Sequence, residues 1–86
     1  MSGAIMPSQS LAKQEIGFEY KILKLQGDEF FVSRLQELGF IKGERLIYKT
    51  KIIFGEPLIV EVRGTQIALR ESEAECILVE KLGEKV

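Results

Sequence analysis

The chain has 86 residues, of which 45% are hydrophobic and 29% charged; twelve basic residues face thirteen acidic ones, for a net charge of −1. These values are typical of one small folded domain with a modest core, since a chain of this length buries roughly 60–65% of its unfolded surface. They exclude extensive disorder, and they argue against a nucleic-acid binder, which needs a clear basic surplus.

Chemistry is limited by two residue counts. Histidine is absent, which removes the commonest general base and transition-metal ligand. The single cysteine, Cys76, excludes an internal disulfide framework and fits a reducing compartment. No run approaches the roughly 20 apolar residues that span a bilayer, and the first residues do not resemble a secretory signal. We therefore expect a cytoplasmic protein that is not an enzyme.

The first half of the chain predicts a tail, a strand and a helix. Residues 1–10 carry few apolar anchors and are predicted to be a flexible tail. Residues 18–27 read as a strand with Tyr20 and Ile22 on one face. Residues 28–39 read as a short helix, capped by an aspartate at its start and ended by Gly39. Its predicted apolar stripe consists of Phe31, Leu35 and Leu38.

The second half predicts a strand followed by a hairpin. Gly43 marks a turn, and the strand that follows alternates from Arg45 until a loop around Phe54 and Gly55. Two short alternating runs then flank Arg63-Gly64, and Gly64 can adopt the positive φ that a two-residue turn requires. In the register that buries all the apolar members, Val62 faces Thr65, Val60 faces Ile67 and Leu58 faces Leu69.

The last elements are a polar break at 71–75, which could form one helical turn, a strand at 76–82 and a tail at 83–86. Five short strands with tight turns favour a small closed barrel, because closure removes exposed sheet edges. The fold class is therefore mainly β with one short inserted helix. A single domain is predicted over residues 11–82.

Candidate partner-binding residues surround the loop after the second strand. Phe54 at the loop tip is the predicted anchor, although it could instead fold back over the barrel end. Ile53, Phe40 and Tyr48 are secondary candidates, and Arg63 and Arg70 are predicted rim charges that affect orientation and association rate. Apolar residues outside the helix stripe suggest a small second core more than a docking face. The structural turn residues are Gly39, Gly43, Gly55 and Gly64.

Two other classes of function stay open. Glu71, Glu73 and Glu75 could hold a hard divalent cation weakly through oxygen, and with Cys76 they could form a metal-sensing or metal-carrying site. A solvated turn and a buried thiol are the more ordinary interpretations. A basic stripe is the remaining alternative, with its members at Lys42, Arg45, Lys49 and Lys51, but the charge balance argues against nucleic-acid binding.

Residues 11–81 resemble the ferrous iron transport protein A family, FeoA. Each motif is weak alone, and their order and spacing make the match specific. The matching pieces are Arg34-Leu35, Glu37-Leu38-Gly39, Gly43, Phe54-Gly55-Glu56-Pro57, Arg63-Gly64, Leu69-Arg70 and Glu73-Ala74. One departure is Lys42, which stands where the family usually has proline; this change should loosen the turn without altering the fold.

The resemblance implies an SH3-like barrel with an inserted helix. It also implies an accessory or regulatory protein of ferrous iron uptake that docks to FeoB, the membrane transporter with a GTP-binding domain, and reaches the membrane only through that partner. The same fold resembles the C-terminal domain of metal-dependent repressors, so a metal-binding sensor or carrier is the alternative function. No resident cofactor is implied, although Fe²⁺ or another divalent ion could bind weakly.

Overall fold

The computed structural model describes residues 9–52, 54 and 56–85 of the chain. The predictions for residues 1–8, for Ile53 and for Gly55 therefore lie outside the described residues. After a 3-10 helix at Leu11–Lys13, the elements in chain order are β1 (Phe18–Leu25), α1 (Glu29–Glu37), β2 (Arg45–Lys51), β3 (Leu58–Val62), β4 (Thr65–Leu69), α2 (Glu71–Ala74) and β5 (Ile77–Lys85). The mainly β fold class, with about five strands and one short helix after the first strand, is confirmed.

The five strands form one antiparallel sheet in the order β4-β3-β2-β1-β5. Inward-facing residues of every strand belong to a single buried cluster, which shows that the sheet wraps around one core. Its strand members are Tyr20, Ile22, Leu46, Tyr48, Leu58, Val60, Val62, Leu69, Ile77 and Val79. The two ends of this sheet, β4 and β5, are not paired with each other in the described part of the chain.

The β3–β4 hairpin has the register that the apolar alternation predicts. Val62 lies opposite Thr65, and the pairing continues without a bulge to Leu58 opposite Leu69. The turn is formed by Arg63 at φ 55° and Gly64 at φ 84°. Two successive positive φ angles match the twist of the flanking strands, which is why short hairpins favour this turn.

Helix α1 begins at a side-chain cap and ends in a Schellman motif. Asp28 accepts a hydrogen bond from the N–H of Phe30 at 2.8 Å. At the other end Gly39 has a φ of 110°, its N–H donates to the carbonyl of Gln36, and the N–H of Phe40 donates to the carbonyl of Leu35. Phe40 and Leu35 are both fully buried, so this motif fastens the helix to the core.

The domain boundaries differ from the predicted ones at both ends. Ser10 is buried and forms a β-bridge with Leu78, so the ordered body begins before residue 11. Strand β5 continues to Lys85, which pairs with Phe18, so the predicted tail at 83–86 is corrected to a strand up to Lys85. Among the described residues, no helix is long and apolar enough to cross a membrane.

Candidate docking surface

The β2–β3 loop presents an aromatic side chain to solvent. Its base is closed by a hydrogen bond from the N–H of Ile52 to the carbonyl of Pro57 at 3.0 Å. Phe54 has a side chain that is 100% exposed and a φ of 61°. A bulky non-glycine residue rarely adopts this left-handed conformation, which costs about 1–2 kcal/mol. The full exposure shows that the aromatic ring does not pack against the core.

A second contact connects the loop to α2. Oε2 of Glu56 accepts a hydrogen bond from the backbone N–H of Glu71 at 3.1 Å. Glu71 is the first residue of α2, where the N–H groups lack partners within the helix and a carboxylate is favourable. The loop that carries Phe54 is thus attached to the rest of the domain beyond its own two strands.

Helix α2 is connected in turn to α1 through Glu73, which is only 8% exposed. Oε1 of Glu73 accepts from the backbone N–H of Arg70 at 2.9 Å, and Oε2 lies 3.7 Å from Nε of Arg34. The carboxylate therefore caps α2 and makes an ion pair with a residue of α1. The loop, α2 and α1 are joined by consecutive polar contacts.

Two of the predicted secondary contacts are corrected by the structure. Phe40 and Tyr48 are both 0% exposed, so neither side chain offers a surface to a partner. Phe40 is buried by the Schellman motif, and Tyr48 shares the inward face of β2 with Leu46. Both signals were present in the sequence: an apolar residue directly after a helix-ending glycine, and an aromatic residue two positions from a leucine.

The predicted rim arginines occupy the two ends of β4. Arg63 lies in the turn before β4 and Arg70 directly follows it, and both are exposed. Neither guanidinium is part of an ion pair within residues 9–52, 54 and 56–85. They are therefore available to acidic groups of a partner.

Further exposed apolar residues were not singled out as a site from the sequence. Phe30 on α1 is 69% exposed and its ring centroid lies 6.2 Å from that of Phe31. Leu38 was predicted on the apolar stripe of α1 but is exposed. Of the three residues of that stripe, only Leu35 is fully buried. Ile52 is half-exposed beside Phe54 and extends the apolar surface of the loop.

The predicted acidic residues and the thiol do not form a metal site among the residues that the structure describes. In the described part of the chain, no three His, Cys, Asp or Glu side chains come together as a metal site. Glu73 is already engaged with α1 and with the backbone. Sγ of Cys76 donates to the carbonyl of Ser72 at 3.5 Å, and burial, followed by the nearby Glu75, raises the pKa of the thiol. A raised pKa favours the neutral thiol, which is the weaker metal ligand.

Carboxylates on neighbouring strands partly neutralise the predicted basic stripe. Arg45 lies 3.9 Å from a carboxylate oxygen of Glu19, and Lys49 lies 3.6 Å from one of Glu61. Both pairs are partly exposed and contribute little stability, but they intersperse positive and negative charge on this face. That arrangement opposes the accumulation of positive potential that nucleic-acid binding needs.

Comparison with protein families identifies the domain. The model of the FeoA domain family matches residues 9–81, which is nearly the whole described body. No sequence among curated proteins is similar enough to count as a relative.

Solved structures agree with this family and with the fold. The FeoA-like protein of Clostridium acetobutylicum is 28% identical, with a TM-score of 0.81 over 90% of each chain. FeoA of Stenotrophomonas maltophilia is 35% identical, with a TM-score of 0.73 over 83% of this chain and 88% of that one. It was solved with zinc and is described as a prokaryotic SH3 domain protein and a candidate activating factor of ferrous iron transport.

The repressor ScaR, in a structure with bound Zn²⁺, shares the fold only. It is 22% identical, with a TM-score of 0.77 over 85% of this chain and 36% of ScaR. The SH3-like architecture implied by the sequence motifs is confirmed by these neighbours. On the match over residues 9–81, the chain belongs to the FeoA family.

Proposed function

We propose that this protein is an accessory or regulatory component of ferrous iron uptake that docks to an FeoB-type membrane transporter from the cytoplasm. Membership of the FeoA family supports a role in iron transport. The observation that carries the docking proposal is Phe54, whose side chain is fully exposed at the tip of a loop attached at both its base and its flank.

An exposed phenylalanine gains free energy when a partner covers it. Burial of one such side chain contributes about 1.5–3 kcal/mol, which is enough to dominate a small interface. The attachments at Ile52 and Glu56 reduce the ordering that docking would require, because both ends of the loop already contact the domain. Half-exposed Ile52 adds apolar area beside it.

The mechanism is binding, and its effect on transport is a shift in the partner's conformational populations. A bound protein can change such an equilibrium only by its difference in affinity for the two states. Phe54 would anchor the complex, and Arg63 and Arg70 would set its orientation and association rate. Ile53, also predicted at this surface, lies outside the described residues.

Co-purification with an FeoB-type transporter tests the proposal. We expect Phe54→Ala to retain the Tm of the unmodified protein while it loses at least tenfold in recovery with the transporter. Phe30→Ala is the matched control, since it removes a second exposed aromatic ring from a different element. A Phe54→Ala protein that co-purifies as well as the unmodified chain would overturn the proposal.

A further inference from the structure

Among residues 9–52, 54 and 56–85, the backbone groups on the outer edge of β4 find no partner. Alternate residues of an antiparallel strand direct their N–H and C=O groups to opposite sides. In this two-residue hairpin Thr65, Ile67 and Leu69 face β3, so Gln66 and Ala68 direct theirs away from the sheet. Within the described part of the chain neither residue makes a further hydrogen bond, and β3 is the only element that packs extensively along β4.

This edge lacks the features that protect most edge strands. Its five residues, Thr-Gln-Ile-Ala-Leu, include no charge and no proline, and its pairing with β3 has no bulge. Edge strands usually carry such devices, because an open ladder invites pairing with another chain. The other end of the sheet is different: Ser10 bridges to β5 at Leu78, and Glu80 and Lys81 place charges farther along that strand.

The charges at the two ends of β4 indicate what would pair with it. Arg63 and Arg70 flank an uncharged strand of about 17 Å, given roughly 3.3 Å per residue. A second copy of this chain is disfavoured, because antiparallel pairing of two β4 strands places Arg63 of one copy beside Arg70 of the other at both ends. An extended segment with acidic residues at its ends instead places a carboxylate at each arginine.

We propose that the β4 edge binds an extended segment of another protein by strand addition, and that this segment carries acidic residues at both ends. Gln66 and Ala68 would supply the backbone hydrogen bonds, and the two arginines would select the acidic ends. The strand edge at Gln66 and Ala68 contains no residue of the Phe54 loop, although Arg63 and Arg70 are assigned to both surfaces. The inference does not rest on the proposed function, and its test contains no transporter, so the two can fail separately.

The test uses the full chain and two synthetic nine-residue peptides. Both have a five-residue centre of alternating threonine and valine; one has two glutamates at each end and the other two lysines. We expect the acidic peptide to bind at least tenfold more tightly and to slow the exchange of the Gln66 and Ala68 amide protons, measured by NMR. Absence of binding at millimolar peptide, or binding without protection of these two amides, would overturn the proposal.

Two sets of variants separate strand addition from other binding. Ala68→Pro removes an outward N–H and should weaken the acidic peptide about fivefold to tenfold, whereas Ala68→Val keeps the N–H and should bind like the unmodified chain. Equal binding by both would contradict the proposal.

Arg63→Glu combined with Arg70→Glu should reverse the preference toward the lysine peptide, and this result stands even if Ala68→Pro fails to fold. A dimer in sedimentation that is lost in Ala68→Pro but kept in Ala68→Val would overturn the choice of partner.

Discussion

Glu56 and Glu71 are joined by a 3.1 Å hydrogen bond, in which a carboxylate oxygen of the β2–β3 loop accepts from the first backbone N–H of α2. The bond connects positions 15 residues apart and fixes the loop that carries Phe54. Because both residues are exposed, the contact matters more for the path of the loop than for the stability of the domain.

Removal of this acceptor should affect docking more than folding. We expect Glu56→Ala to change the Tm by less than about 5 °C, which corresponds to roughly 1 kcal/mol in a domain of this size. It should also speed exchange of the Glu71 amide and weaken co-purification with the transporter. Glu56→Gln is the control, because its amide oxygen can still accept. If the Glu71 amide exchanges as fast in Glu56→Gln as in Glu56→Ala, the hydrogen bond does not hold the loop.

Tyr48 and Tyr20 provide a matched pair in the core. Both side chains are 0% exposed. The hydroxyl of Tyr20 donates to the carbonyl of Glu15 at 2.8 Å and accepts from its N–H at 3.0 Å. The hydroxyl of Tyr48 is buried without a hydrogen-bond partner in the described structure. A buried polar group without a partner costs about 1–3 kcal/mol.

Replacement of each tyrosine by phenylalanine should therefore have opposite effects. Tyr48→Phe is expected to leave the free energy of unfolding unchanged or to raise it by about 1 kcal/mol, and Tyr20→Phe to lower it by about 1 kcal/mol or more. Urea denaturation at neutral pH measures both. The account would be contradicted by a loss in Tyr48→Phe as large as that in Tyr20→Phe.

The hydroxyl of Tyr48 should also make the stability of the domain depend on pH in the alkaline range. Burial, with smaller contributions from Tyr20 and Glu71, raises the pKa of Tyr48 to about 12. In the unfolded chain this tyrosine ionises near pH 10. The stability that comes from keeping the hydroxyl protonated in the folded state is therefore complete below pH 10 and is lost as pH rises toward 12. Tyr48→Phe should lose less stability than the unmodified chain between pH 9 and 11. If both proteins lose the same amount of stability between pH 9 and 11, the ionisation of Tyr48 is not the cause.

The hairpin turn should respond to strain rather than to crowding. A Cβ at Gly64 would meet no described atom within 4 Å, so the cost of Gly64→Val comes from its φ of 84°. We expect a loss of about 1–2 kcal/mol, or roughly 4–16 °C in Tm. Arg63→Asn is the control, since asparagine tolerates positive φ better than arginine and should not lower the Tm. An unchanged Tm in Gly64→Val would contradict the turn geometry.

Cys76 should react slowly. The raised pKa of its thiol lowers the thiolate fraction at neutral pH, and only the thiolate is nucleophilic. We expect its rate with a disulfide reagent at pH 7 to be several-fold below that of free cysteine. The rate should still be rising at pH 9. A rate equal to that of free cysteine would show that the side chain is not protected by its surroundings.

The sequence predicted the parts of this fold that local rules determine. The β3–β4 register follows from two alternating runs around Gly64, because a shift by one residue would expose every apolar side chain. The cap of α1 by Asp28 follows from side-chain chemistry at a helix start. Neither depends on how the sheet curls.

The candidate site was less predictable, because it depends on which face of each element turns inward. Phe40 and Tyr48 are aromatic residues, which suits a contact surface, but the curvature of the sheet around one core buries both. The contact from Glu56 to Glu71 and the open edge at Gln66 and Ala68 depend on the relative placement of distant segments. Spacing along the chain does not encode that placement.

Photo-crosslinking at position 54 tests the central claim most directly. A photoreactive phenylalanine derivative replaces Phe54 in one protein and Phe30 in another, and both are irradiated in the presence of an FeoB-type transporter in membranes. The account predicts a covalent adduct with the transporter from position 54 and little or none from position 30. An adduct from position 30 alone, or none from position 54 in a complex that co-purifies, would contradict it.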